Sequence, residues 1–115
     1  MPPKIEDYEF GSIVVNGKRF SSDVIIYPNK VEGSWWRVEG HEVCLEDIKH
    51  VLDYNPEVLI IGTGYFGRVN VLQEVTDKLA SKGIMLIAKR TKDACKEYNE
   101  LKDKKKVVAA LHLTC

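Results

Sequence analysis

The chain has 115 residues, of which 44% are hydrophobic and 30% charged. That balance suits one globular domain and excludes a disordered, collagen-like or bare disulfide-scaffold chain. Seventeen basic residues offset seventeen acidic ones, which argues against a general nucleic-acid binder, normally strongly basic. The balance is uneven along the chain. Residues 1–57 carry six Lys/Arg and eleven Asp/Glu, whereas residues 58–115 carry eleven and six. No apolar run approaches the roughly 18 residues needed to cross a bilayer, and the opening Met1-Pro2-Pro3-Lys4-Ile5 lacks the apolar stretch of a secretory leader. Cys44, Cys95 and Cys115 cannot all pair within one chain and form no C-x-x-C. Reduced thiols and a cytoplasmic setting are the expectation. A single glutamine, Gln73, among many Lys and Glu leans toward a thermophilic source.

The first half reads as strands. Ile13-Val14-Val15 and Lys18-Arg19-Phe20 flank Asn16-Gly17, the pair that tolerates φ > 0 at both centres of a type I′ hairpin turn. Asp23–Tyr27 is a further β-branched and aromatic run closed by Pro28-Asn29. Trp35-Trp36-Arg37-Val38 is expected to be short and extended. The period then changes. Leu45, Ile48, Val51 and Leu52 recur at helical spacing, with Glu46 and Asp47 in the first turn, where carboxylates suit the helix dipole. Asn55-Pro56 stops this helix.

The second half alternates strand and helix. Val58–Ile61 is an uninterrupted apolar run, as a strand covered on both faces should be. Gly62-Thr63-Gly64-Tyr65-Phe66-Gly67 follows, then a helix carrying Val71, Leu72, Val75 and Leu79. Asn70 and Gln73 are its expected N-terminal capping pair, and Gly83 its C-terminal stop. Ile84–Ala88 is expected to be the next buried strand, Thr91 is expected to cap a third helix bearing Ala94, Tyr98 and Leu101, and Val107–Leu113 is the last strand. The order is a β-meander followed by α-β-α-β-α-β, which implies a single three-layer α/β domain with a mixed sheet.

The glycine loop is the one motif with chemical content. Gly62-x-Gly64-x-x-Gly67 satisfies the dinucleotide fingerprint and sits between a strand and a helix. The acidic residue that should hold the ribose is missing, because the next strand ends in Lys89-Arg90. The loop also narrowly misses a phosphate-binding P-loop, with Arg68 and Val69 where Lys and Ser/Thr belong. Two readings stand: a tight structural turn, or a small anion pocket formed by Gly62, Thr63, Gly64 and Arg68. Arg68, Lys89, Arg90 and Lys92 border that loop in the element order and favour an anionic ligand or an acidic partner.

Several short stretches occur in a specific order: Trp36-Arg37, Val58–Gly64, Thr91-x-x-Ala94 with Tyr98-Asn99-x-Leu101, and Val108-Ala109-Ala110-Leu111-His112-x-Thr114-Cys115. On these the chain resembles, over roughly residues 8–115, a domain-of-unknown-function family of small archaeal, bacterial and eukaryotic α/β proteins. That family includes a mitochondrial complex I assembly factor and an adipogenesis-associated protein. The resemblance implies three layers around a mixed five-stranded sheet, with the last strand antiparallel to its neighbours. It implies no catalytic residues and no cofactor. It does imply a candidate ligand or interface surface: Trp36, Arg37, Gly62, Thr63, Gly64, Thr91 and Asn99, to which the loop adds Arg68.

Other chemistry is thinly supported. His41-x-x-Cys44 and His112-x-x-Cys115 could supply four zinc ligands only if the fold gathered them. Cys95 has no histidine beside it in sequence to activate it. No nucleophile-elbow or zinc-protease motif is present. Lys102, Lys104, Lys105 and Lys106 read as a solvated helix end. One of the two adjacent tryptophans should be core and the other exposed, which fits an interface anchor beside Arg37 and admits a homodimer. The sequence therefore points to a non-catalytic binding or assembly-type domain with a protein partner. The alternative is a small anionic ligand or nucleotide at Gly62–Gly67.

Overall fold

The computed structural model describes residues 1–115. Strands β1 (Ile5–Glu9), β2 (Ser12–Val15) and β3 (Lys18–Phe20) form a small antiparallel sheet. The Asn16-Gly17 turn between β2 and β3 has φ values of 50° and 78°, the double positive φ that the sequence requires there. The main sheet has the order β5 (Lys30–Glu32), β4 (Val24–Tyr27), β10 (Val107–Leu111), β7 (Val58–Gly62) and β9 (Met85–Lys89). Helix α1 (Lys49–Tyr54), helix α2 (Gln73–Ser81) and helix α3 (Thr91–Leu101) flank it, and β6 (Glu42–Val43) pairs in parallel with β8 (Asn70–Val71).

Side-chain alternation divides the core between the two sheet faces. Val24 and Ile26 of β4, Val58 and Ile60 of β7, and Val107, Ala109 and Leu111 of β10 pack with Ala94, Cys95 and Tyr98 of α3 and with Ile5, Ile13 and Val15 of the small sheet. Their neighbours Ile25, Tyr27, Leu59, Ile61, Val108 and Ala110 pack with Val51 of α1 and Val75 and Leu79 of α2. All five residues of β7 and of β10 are buried, which is why both read as apolar runs without polar interruption. The three-layer mixed five-stranded architecture follows.

Five local expectations are corrected. Strand β9, expected to be buried, lies at the sheet edge and leaves Met85, Ala88 and Lys89 exposed. Trp35–Val38 forms no strand; Trp35 N–H donates to Asp23 O at 3.0 Å, and side-chain bonds described below fasten the segment. The Leu45–Leu52 helix is a 3-10 turn (Leu45–Ile48) followed by α1. Helix α2 starts at Gln73, because Asn70 is held in β8 by donating its N–H to His41 O at 2.8 Å, and the Gln73 amide reaches forward to Asp77. Thr91 is the first helical residue of α3 and makes no cap bond, since its hydroxyl is used across the fold. Gly83, by contrast, does stop α2, with φ at 70°.

The last strand is antiparallel to β4, as expected, yet parallel to β7. It occupies the middle of the sheet rather than an edge. Strands β7, β9 and β10 are thus mutually parallel, in the order third-first-second. This places a topological switch point between the carboxyl ends of β7 and β10, where ligands of open α/β sheets usually bind.

Candidate functional site

The glycine loop leaves β7 at this switch point, and two of its glycines answer to close approach. A Cβ on Gly62 would lie 2.8 Å from Thr91 Oγ1 and 2.9 Å from Leu111 Cδ2. Gly64 has φ +106°, and a Cβ there would lie 2.6 Å from Thr114 O. The occupant of the crevice is the chain's own segment 113–115. Tyr65 N–H donates to Thr114 O at 3.2 Å, and Arg68 N–H to Cys115 O at 3.4 Å. Gly64 N–H donates to Thr91 Oγ1 at 2.9 Å, and that hydroxyl donates on to His112 O at 2.6 Å. Thr63 Oγ1 donates to Lys89 O, Gly67 N–H to Gly64 O and Val69 N–H to Thr63 O. The backbone donors that would cradle a phosphate therefore face the protein's own oxygens. Helix α2 begins only at Gln73; the helix whose N-terminus meets the loop is α3, where Thr91 N–H donates to Gly64 O at 3.1 Å. Of the bordering cations, Arg90 packs its side chain against Gly67, and Lys89 is paired with Glu97 at 2.7 Å.

Beside this crevice lies a polar trio that crosses the whole sequence. Asp23 Oδ2 is 2.8 Å from Arg37 Nη1 and 2.6 Å from His112 Nδ1, and Asp23 Oδ1 accepts from Leu113 N–H at 2.8 Å. Arg37 Nη2 also lies 2.9 Å from the same His112 Nδ1, so the carboxylate, the guanidinium and the imidazole converge on one point. On the other side of the ring, His112 Nε2 lies 3.5 Å from Thr114 Oγ1, beyond a normal hydrogen bond. Burial pushes the Asp23 carboxyl up, but the bonds from His112, Leu113 and Arg37 outweigh it and hold the group below its ordinary value. Arg37 also stacks 4.8 Å over the buried Trp35 ring. The trio fastens the start of β4, the Trp35–Arg37 segment and the end of β10 to one another. Every fully buried side-chain nitrogen and oxygen has a hydrogen-bond partner.

The remaining sequence candidates are dispersed. Asn99 accepts from Ile5 N–H at 3.1 Å and donates to Ile5 O at 2.8 Å, tying β1 to α3. Burial pushes the Cys95 thiol up to about 12, which leaves it protonated and a poor nucleophile. The two H-x-x-C pairs are not assembled: His112 belongs to the trio, and no three His, Cys, Asp or Glu residues gather around a common point.

What the region does expose is aromatic surface. Trp36 is 81% exposed and forms the wall of a cavity of about 260 Å³ that also takes in Ser21, Ser22, His112 and Thr114. A second cavity of about 210 Å³ shares Trp35 and Trp36 as lining and reaches Tyr27 and His50. Phe10, Tyr65 and Phe66 are all exposed and pack on one another with ring centroids 5.0–6.3 Å apart. The Arg68 guanidinium lies 5.9 Å from the Phe66 ring. Segment 113–115 joins these features, because Thr114 lines the Trp36 cavity and its carbonyl accepts from Tyr65. Sequence reasoning reached Trp36 and Arg68 but missed Phe10, Tyr65 and Phe66. The available signal was aromatic residues at turn positions, in Phe10-Gly11 and Tyr65-Phe66-Gly67, where few side chains find a core to enter.

Comparison with known proteins places this geometry in context. A conserved hypothetical protein from Pyrococcus horikoshii OT3 has a similar structure, with a TM-score of 0.87 and 32% identity over 97% of this chain and 99% of that one. A protein from Bordetella parapertussis gives 0.79 and 28% identity, covering 97% of this chain and 96% of its own. Among curated proteins, NADH dehydrogenase [ubiquinone] 1 alpha subcomplex assembly factor 3 of Xenopus tropicalis is 26% identical over 110 residues, or 92% of this chain. The match spans 58% of that relative's length. The family profile described as "Protein of unknown function (DUF498/DUF598)" matches residues 5–112, and the chain belongs to that family.

Proposed function

We propose that this chain is a non-catalytic binding domain of assembly-factor type, which docks a protein partner on the aromatic surface beside the β7–β10 switch point. One observation carries the reading. At the position where open α/β sheets usually hold a ligand, loop N–H groups donate to the chain's own oxygens, those of Tyr65 and Arg68 to residues 114 and 115, while Trp36, Phe10, Tyr65 and Phe66 stand exposed nearby. Exposed aromatic clusters with an adjacent arginine are the usual composition of interface anchors. The relative named as an assembly factor supports a protein partner over a small molecule. A reduced, cytoplasmic setting is part of the same proposal and accords with three free cysteines.

The test is cross-linking of the native chain in its source extract, followed by purified reconstitution with the protein recovered. Trp36→Ala combined with Phe66→Ala should lose that partner while keeping the wild-type melting point. Retention of the partner by the double variant would overturn the assignment of the surface.

A further inference from the structure

The two edges of the main sheet are built differently. Strand β5 is three residues long, with charged Lys30 and Glu32 exposed and only Val31 half-buried. Short length and charge are the usual protections of an edge. Strand β9, Met85-Leu86-Ile87-Ala88-Lys89, has five residues and none of these devices before Lys89. It contains no proline, its pairing with β7 runs without a bulge from Met85 to Lys89, and Met85 is 57% exposed.

The hydrogen-bond phase of this edge is fixed by its inner partner. Met85 N–H donates to Glu57 O at 3.0 Å, and Lys89 O accepts from Thr63 N–H at 2.8 Å. In a parallel pair alternate residues face the same neighbour, so Met85, Ile87 and Lys89 turn inward and Leu86 and Ala88 turn their backbone groups out. We propose that a second copy of this chain docks here, antiparallel, with the two-fold axis at Ile87, extending two five-stranded sheets into one of ten. This inference is independent of the aromatic surface.

The register follows from the phase. Leu86 stands opposite the partner's Ala88, and each donates an N–H to the other's carbonyl. With the symmetry-related pair this satisfies every outward backbone group between residues 86 and 88. Lys89 falls opposite the partner's Met85, and Arg90 opposite the partner's Ile84, so no cation faces a cation. A shift of the axis to Leu86 would instead enlist Ile84, whose N–H already donates to Leu79 O at 2.9 Å. The α3 helices of the two copies come to lie on the same face of the joined sheet. The groove between β9 and α3 offers them both signs of charge: Lys89 and Lys96 with Asp93, Glu97 and Glu100.

Sedimentation equilibrium on the full chain tests this at protein concentrations from the micromolar to the millimolar range. A monomer–dimer equilibrium is expected. Ala88→Pro removes an outward N–H at an edge that otherwise tolerates proline and should abolish the dimer. Because that variant could also perturb folding, Met85→Lys and Met85→Glu provide the second measurement at an exposed position. M85K places an ammonium opposite the partner's Lys89 and should weaken dimerisation at least tenfold, while M85E should tighten it. A chain that stays monomeric throughout would overturn the proposal. So would a dimer indifferent to A88P and to the charge at position 85. A dimer lost in the Trp36→Ala, Phe66→Ala double variant but kept in A88P would overturn it too, and would place self-association on the aromatic surface.

Discussion

The glycine loop and the aromatic surface lie side by side yet differ in what they leave unsatisfied. In the loop, each of the donors Thr63, Gly64, Tyr65, Gly67, Arg68 and Val69 meets an oxygen of the same chain. Around it, Trp36, Phe10, Tyr65 and Phe66 keep a large share of their rings in water. A motif associated with ligand binding has turned its backbone donors inward, while the aromatic side chains on it and beside it carry the surface that still has something to gain from contact. The difference teaches that a loop's chemistry is read from the partners of its donors rather than from its glycine spacing.

The largest expected effect sharpens the structural side of this contrast. Gly64→Ala must place a Cβ 2.6 Å from Thr114 O at φ +106°, and should cost about 3 kcal/mol or more. Thermal denaturation would then show a fall on the order of 15 °C. A melting point close to wild type would mean that segment 113–115 is not held in the crevice. Thr91→Val comes next. It leaves Gly64 N–H and His112 O without the hydroxyl that joins them, a loss of about 2 kcal/mol. Thr91→Ser should recover most of it, and equal losses in both variants would point to packing instead of hydrogen bonding.

A pH-dependent effect follows for Asp23. Its carboxyl is held below the ordinary value of about 3.9 in the folded state. The stabilisation is therefore present above that unfolded value and is lost as pH falls through the folded one. Asp23→Asn should be less stable at neutral pH and lose less stability than wild type on acidification below about pH 4. Parallel acid limbs for the two proteins would remove the trio from the account. The smallest effect belongs to the aromatic surface. Trp36→Ala should change unfolding free energy by no more than ~0.5 kcal/mol, as befits an exposed side chain. A larger loss, read by urea denaturation, would make Trp36 a structural residue and weaken the contrast.

Much of the fold was legible because burial and turn chemistry act locally. Val58–Ile61 is apolar throughout because β7 is covered on both faces, and Asn16-Gly17 has the φ freedom its turn requires. Misreadings arose where a distant partner overrode a local preference. Thr91 has the residue type of a helix cap, yet its hydroxyl is drawn to Gly64 and His112. Arg37 looked like a surface companion of Trp36, but Asp23 and His112, 14 and 75 residues away in sequence, pull it inward. The Asp23–His112 contact spans 89 residues, and no periodicity or spacing rule reports on a pair that far apart. The carboxylate's role emerges only once β4 and β10 are adjacent.

The central position of β10 bears on how the chain reaches this state. Its neighbours β4 and β7 are separated in the sheet by the strand that is synthesised after both. During vectorial synthesis, β4–β5 and β7–β9 can form only as two half-sheets, each with an open apolar margin, until Val107–Leu111 emerges to join them. The late insertion must close contacts between residues as distant as Val24 and Leu111, a non-local step that slows folding. For that interval the nascent chain exposes two unpaired strand edges to whatever lies nearby, the feature that makes folding intermediates prone to aggregate.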